Sequence, residues 1–183
     1  MDPKMLRISR LMLIPIIVIP FVFLACGKDR SKEIPKTTIN ENAPVSMAIE
    51  TKIAAEPEIV WEIIANIKDW PSWNHDVKQV SMDGDLAKGT EFRWKSGRNT
   101  ITSIIQGVER PRLLAWTGRT VGIKVIHVWH IEPQNGGTLV RTEESWEGFI
   151  VRIFRGSMQD ELEKASNSGI MYLKTESERR AKP

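Results

Sequence analysis

The sequence predicts an α+β fold in which a curved antiparallel sheet of about seven strands wraps around a long C-terminal helix. Three observations lead to this fold class. Apolar residues alternate along Pro44–Ala55, which is typical of a strand with one buried face. They then recur every three or four residues between Pro57 and Ile67, as in an amphipathic helix. After Gly148 the helical spacing returns and continues almost to the C-terminus.

The first strand and the first helix follow from side-chain spacing. Val45 and Ile49 fall on the same face of an extended segment, because side chains alternate along a strand. Ile59 and Ile63 are four residues apart, and Pro57 suits the first turn of a helix. We therefore expect one strand and then a short helical region before the rest of the sheet.

The middle of the chain, from Val77 to Phe149, consists of short extended segments separated by turns. The turns "MDGD", "KSGRN" and "QNGG" contain Gly and Asn, which adopt positive φ readily. The segments between them are rich in β-branched and aromatic residues. This pattern predicts about six strands here, which with the first strand makes about seven.

The C-terminal part begins an apolar stripe at Val151, Phe154 and Met158, with steps of three or four residues. A helix of about 30 residues, roughly 45 Å long, fits this stripe. Only the sheet is large enough to cover it. A curved sheet and a straight helix leave a hollow where they do not touch, and that hollow is the natural place for a ligand.

The N-terminal residues do not resemble a folded domain. Met1–Arg10 carries three basic residues, and residues 11–25 form a run of fifteen without charge. This run is shorter than the roughly 20 residues that span a bilayer as a helix, and it contains Pro15 and Pro20. Residues 1–25 are therefore predicted to be a secretory signal peptide.

Cys26 is the only cysteine of the chain and directly follows the apolar run. The segment "FLAC" resembles the bacterial lipobox, although Phe23 stands where leucine is usual. The resemblance implies that Cys26 is lipidated and anchors the protein in the bacterial cell envelope, facing the periplasm or the exterior. An uncleaved anchor or a free thiol are the alternatives. Residues 26–43 are polar and are predicted to form a flexible tether before a folded domain at 44–183.

The net charge differs between the whole chain and the part that follows the predicted signal peptide. The whole chain has 26 basic and 23 acidic residues, and the first 25 residues hold three of the basic and one of the acidic ones. The remainder is nearly neutral and has no basic stripe. A nucleic-acid partner is therefore not expected.

The order of these elements, with the segments "AEPEIVWEIIANIKDWPSWNHDV", "GTEFRWKSG" and "GGTLVRTEESWEG", resembles the START-like superfamily, also called SRPBCC. The branch that it resembles is the one named for polyketide cyclase/dehydrase and lipid transport. The resemblance covers about Val45–Lys174. It implies the helix-grip fold and a cavity for a hydrophobic small molecule or lipid, and it does not imply one reaction.

The candidate ligand-binding residues are large apolar side chains on different elements. Four tryptophans lie on four different predicted strands and would form good apolar walls, or equally good core. Two residues of the long helix would face them. The six candidates are Trp94, Trp116, Trp129, Trp146, Met158 and Leu162. In the segment "WPSWNHD", Trp70 and Trp73 are predicted to cover the end of the core and to border the cavity entrance, where the family has short helices.

Two residues are candidates for acid–base catalysis. His127 shares a strand face with Trp129, and histidine suits proton transfer near neutral pH. Glu144 shares a face with Trp146, and a carboxyl among tryptophans would have a raised pKa. The alternatives are a core histidine for His127, and a polar ligand contact or a structural ion pair for Glu144. The neighbours His75 and Asp76 would point to opposite sides, so they are not expected to form a catalytic pair.

The sequence contains no set of residues with metal-ligand spacing, no phosphate-binding glycine loop and no pair of redox cysteines. No metal and no cofactor are expected. The leading hypothesis is a membrane-tethered protein that binds a hydrophobic small molecule or lipid. The alternatives are a cyclase- or dehydratase-like enzyme that uses the same cavity, and a stress or envelope protein that docks a partner.

Overall fold

The computed structural model of this protein describes residues 37–182. The predicted signal peptide, Cys26 and most of the predicted tether lie outside the described residues. The helices and strands of the described part are β1 (Val45–Ile53), α1 (Pro57–Ala65), a 3₁₀ turn (Ile67–Asp69), α2 (Trp70–Trp73), β2 (Val77–Met82), β3 (Glu91–Ser96), β4 (Asn99–Glu109), β5 (Leu113–Thr120), β6 (Ile123–Gln134), β7 (Gly137–Glu147), α3 (Phe149–Ile153) and α4 (Arg155–Arg180).

The seven strands form one sheet in the order β1-β7-β6-β5-β4-β3-β2. All neighbours are antiparallel, and the first strand pairs with the last. The predicted α+β helix-grip fold, with short helices after the first strand and a long C-terminal helix on the sheet, is therefore confirmed. In the following, the inner face of the sheet is the one that carries Trp116, His127 and Glu144, and the outer face carries Ala115, Val128 and Glu143.

The main core lies between the inner face, α1, α2 and the C-terminal half of α4. Proline at the start of α1 supplies a fixed φ and lacks only an N–H that the first turn cannot use. One side of α1 is buried, through Val60, Trp61, Ile63 and Ile64. Each such side chain contributes about 1.5–3 kcal/mol by leaving water, so this small helix holds one end of the sheet firmly.

The C-terminal helix is divided, which differs from the single helix predicted. The backbone leaves helical geometry at Phe154, where φ is −107° and ψ is 37°. Val151 of α3 and Leu162 of α4 are both fully buried in one cluster with Val45. The break changes the direction of the chain, so that both helices reach the same end of β1.

The last part of the predicted tether belongs to the folded domain. Ile39 packs on the outer face against a cluster that contains Ala115. The backbone N–H of Asn40 donates to Ser145 Oγ at 3.1 Å. Residues 37–43 therefore lie against the sheet, and the domain begins before the predicted boundary at residue 44.

None of the helices within residues 37–182 is both long enough and apolar enough to cross a membrane.

Candidate ligand-binding cavity

A cavity of about 210 Å³ lies between the inner face of the sheet and α4. Its apolar walls are four tryptophan side chains, each from a different strand. They are Trp94 of β3, Trp116 of β5, Trp129 of β6 and Trp146 of β7. Alternation along the strands puts these residues on the same side of the sheet, which is why they meet in space.

The helix side of the cavity is formed by Met158, Glu161, Ala165, Ser166 and Gly169 of α4. Three of these residues have small side chains or none. A Cβ atom added at Gly169 would meet no atom within 4 Å. The small residues therefore leave open space where larger side chains would close the gap between helix and sheet.

Leu162 does not line this cavity, in contrast to the prediction. It is fully buried in the cluster with Val45 and Val151. One residue earlier, Glu161 faces the cavity instead. Since one helical step rotates a side chain by about 100°, the apolar stripe of α4 packs beside the cavity rather than across it. Leu162 is therefore a core residue and not a ligand contact.

Trp70 and Trp73 are also placed differently from the prediction that they border the entrance. Both side chains are buried in the main core and line a smaller cavity of about 60 Å³. The Trp70 indole lies 5.4 Å from Trp116 between ring centroids and donates its N–H to Ile64 O at 2.9 Å. The smaller cavity shares six of its nine lining residues with the larger one, so Trp70 and Trp73 lie next to the larger cavity and pack against its wall.

The residues of that segment that reach the larger cavity are Asn74 and Asp76. The Asn74 side chain accepts the backbone N–H of Asp76 at 3.1 Å, which fixes the turn before β2. The His75 ring lies edge-on to Tyr172, 5.0 Å away. Among the described residues, no hydrogen bond joins the side chains of His75 and Asp76.

The two candidate acid–base residues meet at the cavity wall. His127 of β6 and Glu144 of β7 are directly opposite each other in the sheet. His127 Nδ1 lies 3.2 Å from Glu144 Oε2, and the two side chains are only 14% and 13% exposed. Thr142 Oγ1 lies 2.8 Å from His127 Nε2, and Trp146 donates its indole N–H to Glu144 at 2.7 Å.

Aromatic rings hold the imidazole of His127 in place. Its centroid lies 4.4 Å from that of Trp116 and 5.3 Å from that of Trp129. Trp116 is opposite His127 on the neighbouring strand β5, and Trp129 is two residues further along β6. The ring is therefore confined by packing as well as by its hydrogen bond to Thr142.

Burial acts on the two groups in opposite directions. It raises the pKa of the Glu144 carboxyl to about 7, and the hydrogen bond from Trp146 partly opposes that shift. It lowers the pKa of the His127 imidazole to about 3. At neutral pH His127 is therefore uncharged, while Glu144 exchanges between its acid and its carboxylate, as a general acid or base requires.

A neutral imidazole has one N–H, so the hydrogen bond between His127 and Thr142 allows two arrangements. When Nε2 carries the N–H, it donates to Thr142 Oγ1. When Nδ1 carries it, Nε2 accepts from the Thr142 hydroxyl. Among the described residues, Nδ1 contacts Glu144 Oε2 at 3.2 Å without forming a hydrogen bond.

A second His–Glu pair lies on the outer face, away from the cavity. His130 Nε2 lies 3.3 Å from Glu143 Oε2. The same carboxylate also accepts from Arg141 at 2.6 Å and 3.1 Å. This arrangement is a surface ion-pair network. Within residues 37–182 no three His, Cys, Asp or Glu side chains converge as metal ligands do.

The site and the fold together define a class: an α+β helix-grip domain with an internal, tryptophan-lined cavity. The family described as "Polyketide cyclase / dehydrase and lipid transport" matches residues 44–171. The chain therefore belongs to this family, which lies within the START-like or SRPBCC superfamily.

Three solved structures are similar to this chain. A protein from Thermus thermophilus aligns with a TM-score of 0.65 and 14% identity over 75% of this chain and 99% of that one. A START superfamily protein from Mycobacterium smegmatis aligns with a TM-score of 0.55 and 15% identity over 74% and 96%. The di-domain ARO/CYC StfQ from the steffimycin biosynthetic pathway aligns with a TM-score of 0.64 and 12% identity over 75% and 52%. At these identities the likeness shows the fold. No curated protein matches this chain.

Proposed function

We propose that this domain binds a hydrophobic small molecule or lipid in the cavity between the inner face and α4. The observation that carries the proposal is the convergence of tryptophans from four strands on one open space of about 210 Å³. Apolar walls with a few convergent polar groups are typical of small-molecule sites. The family's description, which includes lipid transport, supports the same conclusion.

The tryptophan walls and the polar group at the wall have different roles in this proposal. Each Å² of apolar ligand surface that leaves water contributes about 25 cal/mol, so the tryptophans would supply most of the affinity. His127 and Glu144 would contact a polar atom of the ligand and orient it. Met158 closes the apolar lining from the helix side.

Native mass spectrometry of the protein purified from its source tests this proposal. We expect a bound mass that is lost when a side chain fills the cavity. Gly169→Leu places a side chain into the open space, whereas Gly156→Leu, on the same helix and outside the lining, is the matched control. Loss of the bound mass in the first variant alone supports the proposal. An empty wild-type protein, or equal loss in both variants, contradicts it.

A second candidate function is an acid–base reaction on a ligand in the same cavity, such as a cyclisation or dehydration. The contact between His127 and Glu144, with the Glu144 pKa raised to about 7, favours it. Glu144→Gln and His127→Ala should then abolish turnover of an aromatic ketide while the ketide still binds. If both variants leave turnover unchanged, this candidate is wrong.

We also propose that the domain is tethered to a membrane of the bacterial cell envelope through a lipid on Cys26. The apolar run of residues 11–25 and the segment "FLAC" support this. In cell fractionation, Cys26→Ser should move the protein from the membrane to the soluble fraction. Unchanged membrane association of that variant would overturn the anchor.

A further inference from the structure

We propose that the ligand of this cavity is an organic cation, namely a hydrophobic amine or quaternary ammonium compound whose charged head lies at the Glu144 end. The inference rests on the proposed function and names the chemical class of its ligand. Three observations lead to this ligand class. Acidic residues line the cavity, the basic residues of the same strands lie on the outer face, and one buried hydroxyl at the cavity has no hydrogen-bond partner among the described residues.

The charges that line the cavity are all of one sign. The acidic residues that line it are Asp76, Glu144 and Glu161, from three different parts of the fold, and no lysine or arginine of the described part lines the space. Asp76 and Glu161 are exposed, whereas the Glu144 side chain is only 13% exposed. Asp76 and Glu161 form no ion pair within residues 37–182. A cleft with one sign of charge and low-dielectric walls concentrates ions of the opposite sign.

The basic residues of the same strands point away from the cavity. Each neighbours a residue that lines the cavity, so alternation places its side chain on the outer face. These outward basic residues are Arg93, Lys95, Arg119, Lys124 and Arg141. An anionic ligand such as a fatty acid would therefore find no cation from these strands in the wall, whereas a cationic ligand meets three carboxyl groups.

The nearest neighbour of Glu144 does not neutralise it. Burial lowers the pKa of His127 to about 3, so the imidazole beside the carboxylate is uncharged at neutral pH. The other titratable groups that face the cavity, Asp76 and Glu161, are acids. A bound cation would therefore provide the opposite charge that the Glu144 carboxylate lacks, and its binding would favour ionised Glu144.

The aromatic walls suit the same ligand. A cation over the face of an aromatic ring is attracted by the ring's quadrupole, and tryptophan is the strongest partner. Trp146 additionally donates its N–H to Glu144 at 2.7 Å, which keeps the carboxyl beside the indole. An ammonium head can therefore contact a carboxylate and aromatic faces together.

Ser166 supplies an independent sign that a ligand belongs here. Ser166 is one of the residues that line the cavity and is only 7% exposed, yet its Oγ has no hydrogen-bond partner within residues 37–182. A buried hydroxyl without a partner is costly. The N–H of a bound amine would satisfy it.

The test compares three probes of similar size and different charge: benzyltrimethylammonium, its uncharged carbon analogue neopentylbenzene, and phenylacetate. Dissociation constants are measured by NMR titration at pH 8 on wild type, Glu144→Gln and the outer-face control Glu143→Gln. We expect the cation to bind on the order of tenfold more tightly than the analogue, and phenylacetate most weakly. This preference should be lost in Glu144→Gln and kept in Glu143→Gln.

The pH dependence of binding provides a second measurement. The quaternary ammonium probe keeps its charge at every pH, so a change in its affinity reports on the protein. Its affinity should rise between pH 6 and pH 8 in wild type, as Glu144 ionises, and stay flat in Glu144→Gln. If the uncharged analogue binds as tightly as the cation, or Glu144→Gln keeps the preference, the cation inference is wrong and the binding function stands. If no probe binds, both proposals fail. Should Glu144→Gln not fold, the three probes on wild type still decide.

Discussion

Two His–Glu pairs on the same two strands can be compared directly, because they lie on opposite faces of the sheet. On the inner face, His127 and Glu144 are 3.2 Å apart. On the outer face, His130 and Glu143 are 3.3 Å apart. The chemistry and the distances are nearly the same, so any difference in behaviour must come from the surroundings.

The surroundings differ in charge and in solvent. The outer carboxylate is shared with Arg141, and the His130 side chain is 32% exposed. The inner pair has no cation beside it within the described residues and is packed between indole rings, so burial shifts both of its pKa values. The Arg141 side chain is 48% exposed, and ion pairs at a protein surface contribute about 0–1 kcal/mol. The comparison shows that enclosure within the cavity gives the inner pair its acid–base character.

The largest expected difference is in stability on removal of the histidine. His127→Ala should lower the free energy of unfolding by about 2–4 kcal/mol, because it opens space between two tryptophans and leaves buried Thr142 without its partner. His130→Ala should cost less than about 1 kcal/mol. Urea denaturation of the two variants measures both values, and equal losses would contradict the comparison.

The second difference concerns the dependence of stability on pH. The folded-state pKa of Glu144 is raised from 4.5 to about 7, so its contribution to stability is complete below pH 4.5 and is lost as the pH rises through 7. The folded-state pKa of His127 is lowered from 6.5 to about 3, so its contribution is complete above pH 6.5 and is lost as the pH falls towards 3. Between pH 4.5 and 6.5 the two slopes oppose each other.

Glu144→Gln removes the decrease in stability with rising pH that Glu144 causes, and leaves the increase that His127 causes. The free energy of unfolding of this variant should rise with pH between 4.5 and 6.5, by about 1.4 kcal/mol per pH unit at most. Wild type and Glu143→Gln should share a flatter profile over that range. Parallel profiles for all three proteins would show that the inner pair does not titrate as described.

The smallest expected effect concerns the indole that hydrogen-bonds Glu144. Trp146→Phe removes the N–H that holds the pKa of Glu144 down, so that pKa should rise further. Trp94→Phe instead removes a hydrogen bond to Ser103, and it should leave the pKa of Glu144 unchanged. Carboxyl ¹³C shifts of Glu144 followed against pH report the change. The same upward shift in both variants would count against a specific effect of the Trp146 N–H.

Side-chain alternation explains how much of the inner face could be predicted from the sequence. His127 and Trp129 are two residues apart, as are Glu144 and Trp146, and a strand places such pairs on one side. Spacing does not indicate that His127 lies opposite Glu144. That pairing depends on the register of β6 and β7, which the turn between them sets.

The helix side was harder to predict. A helical stripe shows which residues are apolar, and it does not show which edge of the stripe packs on the sheet and which faces a hollow. The stripe therefore predicts Leu162 as a ligand contact, whereas it packs in the core. Glu161 and Ser166 line the cavity but are polar, so the apolar stripe does not indicate them. Glu161 lies three residues after Met158, which is the spacing of residues on one helix face, and this spacing could have identified it.

The central claim is that the four-tryptophan cavity binds hydrophobic ligands. The most direct measurement follows the ¹⁵N-labelled indole N–H signals of the protein during titration with an uncharged probe, 2-naphthol. We expect saturable shifts for Trp94, Trp116, Trp129 and Trp146, and none for Trp61, which is buried in α1 and lines neither cavity. Unchanged signals for the four, or an equal shift of Trp61, would contradict it.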